Sequence, residues 1–128
     1  MPKRHAADPH LLRKAKRRGL APAAEGGAVR HVILCTGSKC GGKKGDKAWK
    51  AMDRAARALE ASGGPRCVRT ETDCFGLCRQ GPLAVVYPEG TWYHSVGPRT
   101  AERIVLEHVA EGREVTGRVF ARNPLASE

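Results

Sequence analysis

The chain has 128 residues, 41% of them hydrophobic, and a formal net charge of +10. This length is typical of one domain with a modest core that needs no disulfides. No apolar segment is long enough to span a bilayer and no secretory signal is visible, so we expect a cytoplasmic, reducing setting. In that setting, paired cysteines usually bind metal or perform redox chemistry. We therefore expect the five cysteines to have such a role and not to form structural disulfides.

The basic residues are concentrated near the N-terminus. Residues 1–30 contain eight Lys or Arg against Asp8 and Glu25, whereas the remaining 98 residues carry 15 against 11. Proline and glycine interrupt this segment and large apolar residues are few, which predicts a disordered basic tail over 1–30 and a folded domain over 31–125. Three interpretations of the tail stay open: a solvated extension, an arm for an acidic protein, or a nucleic-acid contact.

The folded domain is predicted to begin with a β-α-β unit. HVILC at 31–35 is a β-branched apolar run that predicts a buried strand. A loop with four glycines over 36–45 leads to a helix over 46–62, where apolar residues recur every three or four positions and a Gly-Gly-Pro sequence follows. RCVRTET at 66–72 predicts the second strand.

The second half is predicted to add a hairpin and a helix. LAVVY at 83–87 and WYHSV at 92–96 flank the turn sequence PEGT. Thr100 is expected to cap a last helix over 101–112, and the C-terminal residues are expected to lie as an extended arm across the body. The order β-α-β-β-β-α predicts an α/β fold, a small sandwich with a mixed sheet.

Four cysteines lie in or beside the two loops that follow the first two strands, in the pattern Cys35-x4-Cys40-x33-Cys74-x3-Cys78. The strands of a β-α-β unit are parallel, so the loops that follow them emerge at one end of the sheet and the four thiols should converge there. The fifth cysteine, Cys67, lies on the second strand, and we expect it to be a small buried residue.

The residues favour an iron–sulfur cluster at this site without excluding other groups. Zinc accepts four cysteines at such spacings, and a [2Fe–2S] cluster takes two thiolates per iron. Glycines around the cysteines allow backbone N–H groups to approach cluster sulfurs, and nearby cations favour an anionic cluster; the glycines are Gly37, Gly41, Gly42 and Gly76, and the cations are Lys39, Lys43, Lys44 and Arg79. A zinc site and a redox dithiol stay open on these grounds.

The pattern C-x4-C, a long helix, then C-x3-C in CFGLCRQGP before an apolar strand resembles the thioredoxin-like [2Fe–2S] ferredoxins. Their domain also occurs in the E-type subunit of bacterial NADH dehydrogenase. VYPEGTWYHSV and FARNPL resemble the free-standing branch, and the resemblance covers residues 31 to 125. It implies a thioredoxin-like fold, a [2Fe–2S] cluster bound by Cys35, Cys40, Cys74 and Cys78, redox protein partners and a homodimer. It also raises the expectation of a cis peptide before Pro82.

We therefore expect a one-electron carrier and not an enzyme, since the sequence contains no P-loop, dinucleotide-binding or H-E-x-x-H motif. The alternative is a zinc-stabilised four-cysteine module that binds nucleic acid or an acidic protein through the basic tail. Three histidines on predicted elements, His31, His94 and His108, are interpreted as packing residues and not as ligands.

Overall fold

The structure is a computed structural model that describes residues 6–38, 40–77 and 79–125. The order of elements matches the predicted β-α-β-β-β-α, with one helix added in front and one strand added at the end. The elements are α1 (Pro9–Arg17), a 3-10 turn (Ala23–Glu25), β1 (Arg30–Cys35), α2 (Lys43–Ala61), β2 (Cys67–Thr72), β3 (Ala84–Tyr87), β4 (Thr91–Tyr93), α3 (Pro98–Arg103) continuing as a π-helix (Ile104–Val109), and β5 (Val119–Arg122).

The five strands form one mixed sheet in the order β2-β1-β3-β4-β5. β1 and β2 are parallel, whereas the other three pairs are antiparallel. The β1–β2 register places Arg30 opposite Cys67 and Cys35 opposite Thr72. The two strands therefore end side by side, and the two cysteine loops leave from the same edge, as the β-α-β pattern predicts.

The core lies between the sheet and helices α2 and α3, which pack on one face. Along β1, Val32 and Leu34 are fully buried while Ile33, between them, is only partly buried, because alternate residues of a strand face opposite sides. Met52 and Ala56, one turn apart on α2, are fully buried against this face. Among the described residues, no helix combines the length and apolarity that a membrane span requires.

The segment before β1 has regular structure where the sequence predicted disorder. Helix α1 begins with Pro9 at its first position, where a fixed φ favours helix. At its other end the Arg66 guanidinium donates hydrogen bonds to the carbonyl oxygens of Lys16, at 3.2 Å, and Arg17. This anchor comes from a residue some 50 positions away, so no local pattern could reveal it. The division into a tail over 1–30 and a domain over 31–125 stays a prediction.

The C-terminal half also differs in detail from the prediction. The expected extended arm forms strand β5, which pairs with β4, so the edge of the hairpin strand is not free. The last helix begins at Pro98 after Gly97 and not at a Thr100 cap. The Gly81–Pro82 peptide, for which the resemblance raised the expectation of a cis bond, is cis, and the Tyr87–Pro88 peptide is cis as well.

Candidate functional site

The site begins where β1 and β2 end. The backbone pairing of the two strands continues for two more residues, with Thr36 N–H donating to Thr72 O at 2.8 Å and Gly37 N–H donating to Asp73 O at 3.0 Å. These bonds hold the loop after β1 against the loop after β2. The first loop then turns back on itself, because Cys40 N–H donates to Gly37 O at 3.0 Å. Cys40 and Cys74 are brought together in this way.

Two glycines sit where the loops cross too closely for a side chain. A Cβ on Gly37 would lie 2.1 Å from Asp73 O, and a Cβ on Gly81 would lie 1.6 Å from Cys40 O. Real Cβ atoms do not approach backbone oxygens at such distances. The position of Cys40 therefore depends on Gly81, which lies in the loop after β2, beyond the last cysteine of the predicted spacing.

Three of the four predicted ligands converge. Cys35, the last residue of β1, is fully buried, Cys40 is 4% exposed and Cys74 is half-buried. The Sγ atoms of Cys40 and Cys74 are 3.9 Å apart. Burial, together with the neighbouring Cys35 and Cys74 thiols, raises the pKa of the Cys40 thiol to about 12. Such a thiol stays protonated near neutral pH unless a bound cation displaces the proton.

Backbone N–H groups point at two of the sulfur atoms. Leu83 N–H donates to Cys35 Sγ at 3.0 Å, and Gly76 N–H donates to Cys74 Sγ at 3.1 Å. Hydrogen bonds of this kind stabilise electron-rich sulfur and tune the potential of iron–sulfur centres. Leu83 and Phe75 also pack around Cys35 and Cys40, which keeps water from the inner side of the site.

The outcome for the remaining predicted residues is mixed. Cys78 and Lys39 lie outside the described residues. Lys43, Lys44 and Arg79 are exposed. Within the described ranges, no three His, Cys, Asp or Glu side chains are arranged to hold a single metal ion. A two-iron cluster places two thiolates on each iron, so it does not need such a trio.

Cys67 and His108 are buried away from the thiol site, as expected. Cys67 points into the core, and burial raises its pKa to about 11. The sequence reasoning missed Gly81 and the Leu83 N–H donor. The Gly-Pro after the second cysteine pair was the one local signal that this segment packs closely.

The chain is similar to known 2Fe-2S ferredoxins over about two thirds of its length. No protein-family model matches it. The chain is 32% identical over 91 residues to a protein of Clostridium pasteurianum named "Ferredoxin, 2Fe-2S", a match that covers 66% of this chain and 89% of that protein. It is 40% identical over 86 residues to a Priestia megaterium protein, also named as a 2Fe-2S ferredoxin. That match covers 67% of this chain and 65% of the relative, so the chain spans just under two thirds of the relative's length.

Solved structures agree on the fold. The structure of a thioredoxin-like [2Fe–2S] ferredoxin from Aquifex aeolicus matches with a TM-score of 0.65 and 25% sequence identity, covering 74% of this chain and 93% of that one. The predicted thioredoxin-like α/β fold is thereby confirmed. None of these three proteins is named as a zinc or nucleic-acid-binding protein, and the zinc alternative has no support from the comparisons.

Proposed function

Because the chain belongs to the family of thioredoxin-like 2Fe-2S ferredoxins, we propose that it is a one-electron carrier that binds a single [2Fe–2S] cluster. It is an electron-transfer protein and not an enzyme. The observation that carries the proposal is the convergence of Cys35, Cys40 and Cys74 from two loops, with 3.9 Å between the Sγ atoms of the last two.

Four cysteines would hold the cluster: Cys35, Cys40, Cys74 and Cys78. The donor set fits the group, because cysteine sulfurs that accept hydrogen bonds from backbone N–H groups stabilise the negative charge of an iron–sulfur cluster. When bound, the cluster supplies an iron pair that accepts and releases one electron. The chain contributes the thiolates, the N–H groups of Leu83 and Gly76, and the apolar cover of Leu83 and Phe75.

The partners of the chain would be redox proteins, since an outer-sphere carrier needs one protein that donates and one that accepts. We also propose a cytoplasmic, reducing location, because cysteines that bind a cluster must stay reduced and a reducing compartment disfavours disulfides. We also propose that the chain forms a homodimer, as the family resemblance implies. The outer edges of the sheet, β2 and β5, are the places where a second copy could pair.

The test is the analysis of an anaerobic preparation for iron, acid-labile sulfide and zinc, with a visible spectrum of the same sample. About two irons and two sulfides per chain, with absorbance that dithionite bleaches, are the expected result. One zinc per chain without sulfide would refute the proposal.

Single cysteine variants then test the ligand assignment. Cys74→Ser and Cys78→Ser should abolish or distort the visible spectrum. Cys67→Ser is the matched control: it removes a buried thiol outside the site and should leave the spectrum intact. If the control and the ligand variants give the same spectra, the assignment is wrong.

A further inference from the structure

A chain of aromatic rings connects the cysteine loop to the far edge of the sheet. Phe75, next to Cys74, packs edge-to-face on Trp92 of β4 with ring centroids 4.9 Å apart. Trp92 in turn lies 6.3 Å from the ring of Phe120 on β5. Tyr93, the neighbour of Trp92, faces the helices, where its hydroxyl meets His108, so Trp92 faces the opposite side of the sheet.

The outer end of this chain of rings is exposed. Phe120 is 46% exposed, and Leu77, three residues after Cys74, is 51% exposed. Large apolar side chains at the surface are ordinary when they occur singly. Here one lies on the cysteine loop itself, and the other is joined to that loop by edge-to-face contacts between aromatic rings. Two exposed apolar side chains are thus connected to the loop that carries Cys74, one directly and one through ring contacts.

Two exposed arginines lie two positions along the chain from these apolar residues, Arg79 after Leu77 and Arg118 before Phe120. The backbone of Arg118 is bonded to His94, whose N–H donates to Arg118 O at 3.0 Å. Arg79 precedes Gln80, whose carbonyl accepts from Ser95 N–H at 2.7 Å. Neither arginine forms an ion pair with another described residue, and both are exposed. An apolar centre with arginine at the rim is the usual composition of a protein–protein interface.

We propose that Leu77, Arg79, Arg118 and Phe120 form a docking patch for an acidic redox protein. The proposal rests on the proposed function, since it supplies the contact through which the carrier meets its partner. Aromatic and apolar side chains would supply the buried centre of the contact, and the unpaired arginines would select a negatively charged partner surface. Each productive encounter transfers one electron from the reduced carrier to one molecule of oxidised partner, and no covalent bond forms or breaks.

The test uses oxidised acidic flavodoxin as the probe and the cluster-containing chain as the carrier. Phe120→Ala is compared with Leu106→Ala, a truncation of an equally exposed side chain (45%) on the helical face. Binding is measured by isothermal titration calorimetry, and electron transfer by stopped-flow mixing of dithionite-reduced carrier. We expect Phe120→Ala to weaken binding and slow second-order transfer by about tenfold, and Leu106→Ala to change neither by more than about twofold.

Charge reversal tests the rim. Arg118→Glu should slow transfer to flavodoxin and flatten its dependence on ionic strength, whereas Arg54→Glu, the same change at an exposed arginine on α2, should have a smaller effect. Equal effects of Phe120→Ala and Leu106→Ala would overturn the patch. If the wild-type chain binds flavodoxin no better than it binds cationic cytochrome c, the proposal that the partner surface is acidic is refuted.

The failure of the docking patch is distinguishable from failure of the proposed function. Every variant is checked for the visible spectrum and its bleaching, and for reaction with a small one-electron oxidant that needs no docking surface. A normal spectrum with equal flavodoxin rates rejects the patch and leaves the carrier standing. A chain without a cluster rejects the carrier, while calorimetry still decides whether flavodoxin binds through Phe120.

Discussion

Replacing Tyr93 by Phe removes one hydroxyl from a chain of hydrogen bonds whose inner members, Tyr93 and His108, are fully buried. The Tyr93 hydroxyl oxygen accepts from Val115 N–H at 3.0 Å and lies 2.8 Å from Nδ1 of His108. Nε2 of His108 lies 3.1 Å from the Glu89 carboxylate, which can only accept. Nε2 therefore carries the ring proton, and Nδ1 accepts from the tyrosine hydroxyl. The Glu89 carboxylate also accepts from Arg30 at 2.9 Å.

The magnitude follows from the partners that the substitution leaves behind. Tyr93→Phe leaves two buried groups without this hydrogen-bond partner, the Val115 N–H and Nδ1 of His108. Each buried group without a partner costs about 1–3 kcal/mol, so we expect a loss of roughly 2–6 kcal/mol in the free energy of unfolding. For a chain of this size that is a fall of about 8–24 °C in the unfolding midpoint. Tyr87→Phe is the control, because no hydrogen bond joins its hydroxyl to a described residue.

The assay is the thermal unfolding midpoint of the cluster-containing protein at one fixed scan rate, followed by circular dichroism. A fall for Tyr93→Phe that matches the fall for Tyr87→Phe would refute the proposed hydrogen bonds of Tyr93.

The same hydrogen bonds predict how the stability of the fold depends on pH. Burial lowers the pKa of His108 below 6.5, so as the pH falls through 6.5 the unfolded chain takes up a proton that the folded chain does not. Stability should therefore decrease below about pH 6.5, and less steeply in His108→Gln.

Three further substitutions or measurements test other parts of the structure. Gly81→Ala places a Cβ 1.6 Å from Cys40 O and should lower the iron content of the purified protein, whereas Gly97→Ala meets nothing nearer than a lysine side chain at 3.4 Å and should retain its iron. Asp53→Asn weakens the pairing with two arginines, one of them largely buried, and should lower stability by about 1–2 kcal/mol in thermal unfolding, against under about 0.5 kcal/mol for Glu111→Gln in an exposed pair. The net charge of +10 favours the more negative reduced state, so protein-film voltammetry should give a potential at or above about −400 mV, and a far lower value would contradict the charge argument.

The parts of the fold that the sequence predicted are those set by local periodicity and by one topological rule. Apolar runs located β1 and β3, helical spacing located α2, and the parallel crossover between β1 and β2 brought their following loops to one edge. That rule predicts that Cys40 lies near Cys74. Helix α1 and strand β5 were missed as ordered elements, because each is held by partners distant in the sequence, Arg66 for the helix and β4 for the strand.

The glycines of the site show which contacts can be predicted from amino-acid composition and which cannot. Gly76 supplies an N–H to a cysteine sulfur, as the sequence argument proposed for glycines near the cysteines. The other such donor belongs to Leu83, since a backbone N–H can reach a sulfur atom from any residue whose chain passes close enough. Gly81 is needed for a different reason, the approach of its backbone to Cys40 O. A contact between two segments 41 positions apart has no pattern in a single sequence.

The thiol site and the buried hydrogen-bond chain lie at opposite ends of β1. Arg30, which pairs with Glu89, is the first residue of the strand, and Cys35 is the last, so five steps of about 3.3 Å, or roughly 16 Å, separate their backbones. Changes at the two ends should consequently be separable. Tyr93→Phe should lower the unfolding midpoint while the visible spectrum of the folded protein stays unchanged. Gly81→Ala should alter the spectrum or the iron content first, because it acts on the loop that carries Cys40 and leaves the hydrogen bonds of His108 in place.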